Sequence, residues 1–238
     1  MSHQDKSASG TTREPQNQPQ IEDYRRLGPA TMGPWTSHIW RQDPRHLCFL
    51  LSRYKFVAKM LAGRSSVLEV GCGDAFGTRI VLQAVGAVHG IDVEPLVVND
   101  TIERYRGEGV DRASFAVHDA TASPVSGRFD AAFSLDVIEH IPQRLENAFL
   151  DNICAALAPE GVCILGTPNV AASEHASASS REGHVNLKSA ETLRAFLARR
   201  FHNVFSFSMN DEVVHTGYAP MAHYLFAVGV GVTGRAWT

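Results

Sequence analysis

Val67-Leu-Glu-Val-Gly-Cys-Gly-Asp-Ala-Phe-Gly77 is the stretch that decides the fold, since it reads as a buried β-strand that runs directly into a glycine-rich turn. The glycines let the backbone turn tightly and let a ligand approach it closely. A helical pattern begins at Thr78. The Gly71-x-Gly73 turn alone is weak evidence, because structural turns and dinucleotide-binding turns share it.

Two features separate this turn from a dinucleotide-binding turn. Gly77 lies one position later than the GxGxxG fingerprint requires, and Phe76 occupies the slot where helix and strand pack closely around a pyrophosphate. Glu69 stands at the end of the strand, where a carboxylate repels a pyrophosphate but suits a ligand that carries a cationic amine and a sulfonium. The turn therefore favours a cationic ligand over NAD.

Acidic residues also end the next two predicted strands. Asp92 comes 19 residues after Gly73, close to the interval at which a carboxylate accepts hydrogen bonds from ribose hydroxyls. Asp119 ends the third strand and can accept from an adenine amino group. Read alone, Asp119 is equally compatible with a solvated loop aspartate.

Short β-branched runs alternate with helical stretches from Ser66 onward, which is typical of βαβ units and a parallel sheet. The predicted strands are 67–70, 87–91, 114–117, 129–135, 162–166, 204–209 and 224–232. The predicted helices are 45–62, 78–85, 95–105, 144–157 and 189–200. The pattern predicts a doubly wound, Rossmann-like α/β domain.

Composition limits the classes of function. A chain of 238 residues with 44% hydrophobic residues can bury one sizeable core. Lys plus Arg number 22 against 25 for Asp plus Glu, so nothing in the net charge of −3 attracts nucleic acid or an anionic membrane. No apolar run approaches the roughly 18 residues of a membrane-spanning helix. The four cysteines form no CxxC pair, and we expect reduced thiols and a cytoplasmic protein.

Taken together, these residues resemble the class I S-adenosylmethionine-dependent methyltransferase family, over about residues 67–168. Phe129-Asp-Ala-Ala-Phe-Ser-Leu-Asp-Val-Ile-Glu-His-Ile141 and Leu157-Ala-Pro-Glu-Gly161 are similar to motifs of the ubiquinone-biosynthesis-like small-molecule methyltransferases. The resemblance implies S-adenosyl-L-methionine as cofactor and a seven-stranded, mostly parallel sheet with an antiparallel last strand. Ala75-Phe76 departs from the family's small residue after the turn acid and leaves the turn conformation open.

The resemblance also assigns residues and segments. The implied cofactor contacts are Glu69, Gly71, Cys72, Gly73, Asp92, Val93, Asp119, Ala120 and Leu135. Residues 1–20 are polar and predict a disordered leader, and residues 21–64 predict N-terminal cap or lid helices. Residues 65–238 then form the methyltransferase domain, with a substrate loop at 171–188.

Methyl transfer from a sulfonium is an in-line displacement, so the protein mainly positions donor and acceptor. A hydroxyl acceptor needs a base, and histidine suits this at neutral pH. His184 is the preferred base and His140 the second candidate, although a loop histidine that only caps or bonds backbone is an equal alternative for His184. The candidate acceptor contacts are Trp40, His46, Tyr54 and His215. No HxH or HxxxH spacing is present, so we expect no metal.

The sequence thus predicts methylation of a small-molecule acceptor, with a hydroxyl of a sugar, glycan precursor or secondary metabolite favoured over an amine. An N-methyltransferase, an NAD(P)-dependent oxidoreductase and a non-catalytic cofactor-binding module are the alternatives. Ser134-Leu-Asp-Val137 stands where nucleic-acid amino-methylating enzymes carry an Asn/Asp-Pro-Pro-Tyr motif. The oligomeric state stays open, and a homodimer is one alternative.

Overall fold

The computed structural model of the chain describes residues 10–234, which divide into a unit up to Met32 and a unit from Gly33 onward. The first unit holds a 3₁₀ turn at Pro15–Asn17 and helix α1 (Gln18–Leu27). Residues 1–9 of the predicted disordered leader lie outside the described residues, whereas residues 15–20 are helical. Pro19 lies in the first turn of α1, where its missing amide hydrogen costs no hydrogen bond.

The second unit is built on one sheet. Its strands are β1 (Ser66–Val70), β2 (Ala87–Asp92), β3 (Ala113–Val117), β4 (Phe129–Leu135), β5 (Leu157–Pro168), β6 (Phe201–Asn210), β7 (Val213–His215) and β8 (Tyr224–Val232). The order is β3-β2-β1-β4-β5-β8-β6-β7. Strands β1 to β5 pair in parallel, and β8 runs antiparallel to β5 and β6.

The structure confirms the predicted fold class and the antiparallel last strand, with one correction to the strand number. The sheet has eight strands, because β6 folds back through Asp211, whose φ is 47°, into the three-residue edge strand β7. A strand this short shows no alternation of polar and apolar residues, so the sequence pattern could not reveal it.

Helices cover both faces of the sheet. They are α2 (Pro34–Gln42), α3 (Arg45–Met60), α4 (Thr78–Leu82), α5 (Pro95–Gly107), α6 (Glu146–Ala156), α7 (Ala178–Gly183) and α8 (Ala190–Ala198). Phe149 of α6 and Phe196 of α8 belong to one apolar core, and Val57 of α3 and Val81 of α4 belong to another. Within residues 10–234, no helix is both long and apolar enough to cross a membrane.

The segment predicted as a substrate loop, 171–188, is more ordered than its Ala/Ser-rich sequence indicates. It contains a 3₁₀ turn at Val170–His175 and helix α7. Its end is fixed by Lys188, whose Nζ lies 2.6 Å from Oε2 of Glu146 in a buried ion pair. Removing either partner of such a pair is costly, because the remaining partner is left buried with an unpaired charge.

Candidate active site

A pocket of about 350 Å³ lies at the carboxyl ends of β1 to β4. This is the edge at which open α/β sheets bind ligands. Six residues that the sequence predicts for the site line the pocket: Gly71, Asp92, Val93, Asp119, Ala120 and His140. Trp35, part of the aromatic N-terminal segment that the sequence suggests for an acceptor pocket or lid, also lines it. The other lining residues were not predicted: Val70, Ile91, His118, Thr121, Asp136, Val137, Ile141 and Phe149.

The glycine-rich turn has the left-handed backbone that its sequence demands. Gly71 has a φ of 77° and Gly73 a φ of 52°, a region in which other residues are strained. The amides of Gly71 and Cys72 donate to the Ile91 carbonyl at 2.8 and 2.9 Å, which ties the turn to β2. Ala75, where this chain departs from the family pattern, also adopts a left-handed φ, of 52°. The left-handed backbone of the turn therefore extends to this position.

Asp92 connects the turn to the pocket. Its Oδ2 accepts from the Gly73 amide at 2.9 Å, and its Oδ1 accepts from the Glu94 amide at 3.0 Å. The side chain is only 7% exposed, yet it lines the pocket. Each carboxylate oxygen can accept more than one hydrogen bond, so a pair of ligand hydroxyls can bind here without displacing the backbone donors.

Asp119 lies across the pocket, at the end of β3. Its Oδ1 accepts from the Thr121 amide at 2.8 Å and from the Thr121 hydroxyl at 2.7 Å. The side chain is thereby fixed with Oδ2 available to a ligand donor. Asp92 and Asp119 therefore present two oriented carboxylates to one cavity, whose apolar walls include Val137 and Phe149.

Helix α2 is held beside the pocket by a capping interaction that the sequence did not predict. Asp74 Oδ2 accepts from the Thr36 amide at 2.7 Å, and Asp74 Oδ1 accepts from the Thr36 hydroxyl at 2.8 Å. The carboxylate caps the first turn of α2 from the glycine-rich loop, where the helix dipole favours a negative charge. This cap holds Trp35 against Gly73 and makes it a pocket wall.

Glu69, which the sequence predicts as a cofactor contact, is buried beneath the turn and does not line the pocket. Its Oε1 accepts from the Tyr54 hydroxyl at 3.0 Å and its Oε2 from the Thr78 hydroxyl at 2.6 Å. Alternate residues of a strand face opposite sides of the sheet. Leu68 and Val70 face one core, so Glu69 faces the other, beneath the turn. Glu69 therefore positions the turn from below.

The same contact holds Tyr54, which the sequence predicts as an acceptor contact. The ring is buried against Phe133, and its hydroxyl is occupied by Glu69. Tyr54 also lies where a side chain at Gly77 would have to go, with ring atoms 2.3 Å from an ideal Cβ there. It therefore anchors α3 on the glycine-rich turn and lies outside the pocket lining, and its role as an acceptor contact stays a prediction.

Burial raises the pKa of Glu69 from 4.5 to about 8, against the opposing effect of the hydrogen bonds from Thr78 and Tyr54. An acid with a raised pKa in the folded protein stabilises it most when protonated, and this contribution is lost as the pH rises from about 4.5 to about 8. We expect the melting temperature of the wild type, relative to Glu69→Gln, to fall between pH 6 and pH 8.5. Calorimetry of both proteins in the same buffers measures this; a constant difference contradicts it.

The other predicted positions lie outside the pocket lining. Cys72 is buried behind the turn, where burial raises the pKa of its thiol, and Leu135 belongs to the core beneath α3. Trp40 is 54% exposed on α2. His46 is exposed beside Phe49, and partial desolvation lowers its pKa. His215 lies on β7, with Nε2 2.9 Å from Oδ1 of Asn210. Gly73 and His184 are also absent from the pocket lining. The roles of all these residues as ligand contacts stay predictions.

The two candidate catalytic histidines come together although they are distant in sequence. The ring centroids of His140 and His184 lie 5.1 Å apart. His140 lines the pocket and also contacts the Gly183 carbonyl through Nδ1, at 3.0 Å. Burial lowers the pKa of His184, and repulsion from the neighbouring His140 lowers it further by a smaller amount. The fold thus places His140 in the pocket wall and His184 beside it, outside the pocket lining.

Asp136 also lines the pocket, near His140. It was not predicted as a site residue, although it belongs to the quoted fourth-strand motif. It has a φ of 57°, which is strained for a residue with a side chain, and it accepts from Arg53 Nη1 at 2.6 Å. Arg53 is buried and lies 3.8 Å from the centroid of the Tyr224 ring. A strained residue at a cavity is a mark of function rather than of folding alone.

Comparison with known proteins agrees with this geometry. A family described as a methyltransferase domain matches residues 67–161. A probable S-adenosylmethionine-dependent methyltransferase of Mycolicibacterium smegmatis is 28% identical over 116 residues, which are 49% of this chain and 42% of that protein. The ubiquinone biosynthesis O-methyltransferase of Psychrobacter arcticus is 27% identical over 142 residues, 55% of this chain and 51% of that protein.

The chain therefore spans about half the length of the curated relatives that it matches. Among solved structures, the N-methyltransferase NodS from Bradyrhizobium japonicum in complex with S-adenosyl-L-homocysteine superposes with a TM-score of 0.57. It is 21% identical, and the match covers 81% of this chain and 91% of that one, which shows a shared fold. Residues 67–161 therefore match a methyltransferase domain, and the chain is similar to S-adenosylmethionine-dependent methyltransferases.

Proposed function

We propose that the protein transfers the methyl group of S-adenosylmethionine to a hydroxyl of a small molecule. The observation that carries this proposal is the convergence of Gly71, Asp92 and Asp119 on one pocket. They supply a turn that a ligand can approach closely and two oriented acceptors for ribose and adenine donors.

Bound S-adenosylmethionine supplies a methyl group that its sulfonium has already activated. The carbon–sulfur bond breaks as the acceptor oxygen forms its bond to the methyl carbon, and S-adenosylhomocysteine is released. The chain's own task is to hold the two reactants at a distance of roughly 3–3.5 Å and to exclude water. Val137, Ile141 and Phe149 give the pocket the apolar wall that this requires.

The preference for oxygen rests on the pair His140 and His184. A hydroxyl must lose its proton for attack, and this side of the pocket carries groups that can assist the loss. The similarity to the ubiquinone biosynthesis O-methyltransferase supports the same preference. An amine acceptor needs no such group once it is neutral, so this geometry favours it less.

Calorimetric titration with S-adenosylmethionine, S-adenosylhomocysteine and NAD, in parallel, tests the cofactor. We expect micromolar binding of the first two and no binding of NAD; the reverse result contradicts the proposal. A panel of matched phenols, sugars and primary amines, with release of S-adenosylhomocysteine as the readout, then tests the acceptor. Turnover of amines alone would reject the hydroxyl.

A further inference from the structure

Three side chains that commonly bind metal ions converge beside the pocket. One carboxylate oxygen of Glu139 and one ring nitrogen each of His140 and His184 all lie within 4.8 Å of one another. His140 lines the pocket itself. The expectation of no metal rested on linear spacing, whereas the fold assembles this group from the end of β4 and the loop after α7.

Glu139 has an oxygen that lacks a partner. The residue is 0% exposed, and its Oε2 accepts from the Thr167 hydroxyl at 3.0 Å. Its Oε1 is also buried and, among the described residues, receives no hydrogen bond. A buried carboxylate oxygen without a donor is costly, and a cation is one of the few groups that removes this cost.

His140 is held in the tautomer that a metal ligand needs. Its Nδ1 lies 3.0 Å from the Gly183 carbonyl, which can only accept, so Nδ1 carries the proton. The lone pair is therefore on Nε2. A histidine that binds a metal ion through one nitrogen usually donates its other N–H to a carbonyl or carboxylate in this way.

The loop that carries His184 is fixed to the same segment. The Glu139 carbonyl accepts from the amides of Val185 and Asn186 at 2.8 and 3.0 Å. These two hydrogen bonds fix the residues that follow His184 in the chain. The contact between His140 and the Gly183 carbonyl fixes the residue that precedes it. The three candidate ligands are thus held together by protein contacts alone, which lowers the ordering cost of binding an ion.

We propose that Glu139, His140 and His184 bind one divalent cation of the Mn²⁺, Co²⁺ or Zn²⁺ type. One carboxylate and two imidazoles suit these ions, whereas Mg²⁺ and Ca²⁺ prefer oxygen ligands only. Three protein ligands leave coordination positions open to a further ligand.

The role of this ion rests on the proposed function. An acceptor hydroxyl bound at an open position loses its proton to solvent more readily, because the ion lowers its pKa. The resulting oxygen anion then attacks the methyl carbon as described above. In this arrangement His184 is a ligand and not a proton acceptor, which replaces the base predicted from the sequence.

Calorimetric titration with ZnCl₂, on protein freed of its affinity tag and of bound metal, tests the site. We expect one ion per chain, and at least about tenfold weaker binding for Glu139→Gln and for His184→Ala, since each removes a ligand. His175→Ala is the matched control, because His175 is exposed and lies outside the cluster. Its affinity for Zn²⁺ is expected to equal that of the wild type.

Titration of each variant with S-adenosylhomocysteine shows that it is folded and separates the two proposals. No Zn²⁺ binding by the wild type, or equal binding by all variants, overturns the metal site while leaving the cofactor site intact. Binding of MgCl₂ in preference to ZnCl₂ also overturns it. Zn²⁺ binding without any binding of S-adenosylhomocysteine instead supports the metal site and rejects the proposed function.

Discussion

Replacing Asp92 by alanine is expected to weaken the binding of S-adenosylhomocysteine at least about 100-fold. The carboxylate holds the Gly73 amide at 2.9 Å and lines the pocket, so its removal disorders the turn and deletes the acceptor for ligand hydroxyls. Hydrogen bonds to a charged group contribute about 1.5–3 kcal/mol each, and a loss of about 3 kcal/mol corresponds to roughly 100-fold in affinity. Calorimetric titration of wild type and variant measures the change.

Two further variants separate recognition from folding. Asp92→Asn keeps the size of the side chain and an oxygen for one backbone donor, and we expect an intermediate loss of affinity. Asp119→Ala removes a carboxylate that is exposed and bonded only to Thr121, and we expect a loss of about tenfold. Unchanged affinity in Asp92→Ala, with unfolding still cooperative in urea, would remove Asp92 from the cofactor site.

The positions of Asp92 and Asp119 could be predicted because the carboxyl ends of parallel strands meet at one edge. Once the strands were recognised, the acid that follows each strand was directed to the same place. This argument needs only the strand pattern, which local sequence carries. The structure therefore confirms the predicted fold, and it brings Asp92 and Asp119 to one pocket as the strand argument expects.

Glu69 shows that the alternation of side chains along a strand predicts which face of the sheet a residue occupies, whereas its position in a family motif does not. The alternation of side chains along β1 places Glu69 on the face opposite Leu68 and Val70, within the core. Its charge and the family motif predict a cofactor contact, whereas the period of the strand indicates only that it faces the core beneath the turn. The aromatic composition of its segment suggested Trp35 for a pocket or lid, but its contact with Gly73 depends on the cap that Asp74 gives to a helix 38 residues earlier in the chain.

The positions of His140 and His184 could be predicted only in part from the sequence. Each histidine was selected for its position after a strand, but nothing in the sequence indicated that Glu139 would join them. Their meeting depends on the loop after α7, whose amides bind the Glu139 carbonyl. Contacts of this kind join segments far apart in the chain, so they follow from tertiary packing and not from a motif.

Replacing Gly71 by alanine is expected to destabilise the protein by about 2–5 kcal/mol and to weaken the binding of S-adenosylhomocysteine at least tenfold. Gly71 has a φ of 77°, which costs an alanine roughly 1–2 kcal/mol. An ideal Cβ there would also lie 2.2 Å from Cγ2 of Val137, which must move. Forced movement in a packed site adds roughly 1–3 kcal/mol, and here it shifts a wall of the pocket.

Gly63 is the matched control for this steric argument. Its φ is 83°, close to that of Gly71, but nothing lies within 4 Å of an ideal Cβ. We therefore expect Gly63→Ala to lose about 1 kcal/mol of stability and no affinity, since only the backbone strain is shared. Urea denaturation of both variants gives the difference. Val137→Ala, combined with Gly71→Ala, should restore part of the lost affinity, because the smaller side chain removes the overlap. Equal losses at both glycines would show that backbone strain, and not contact with Val137, requires glycine at position 71.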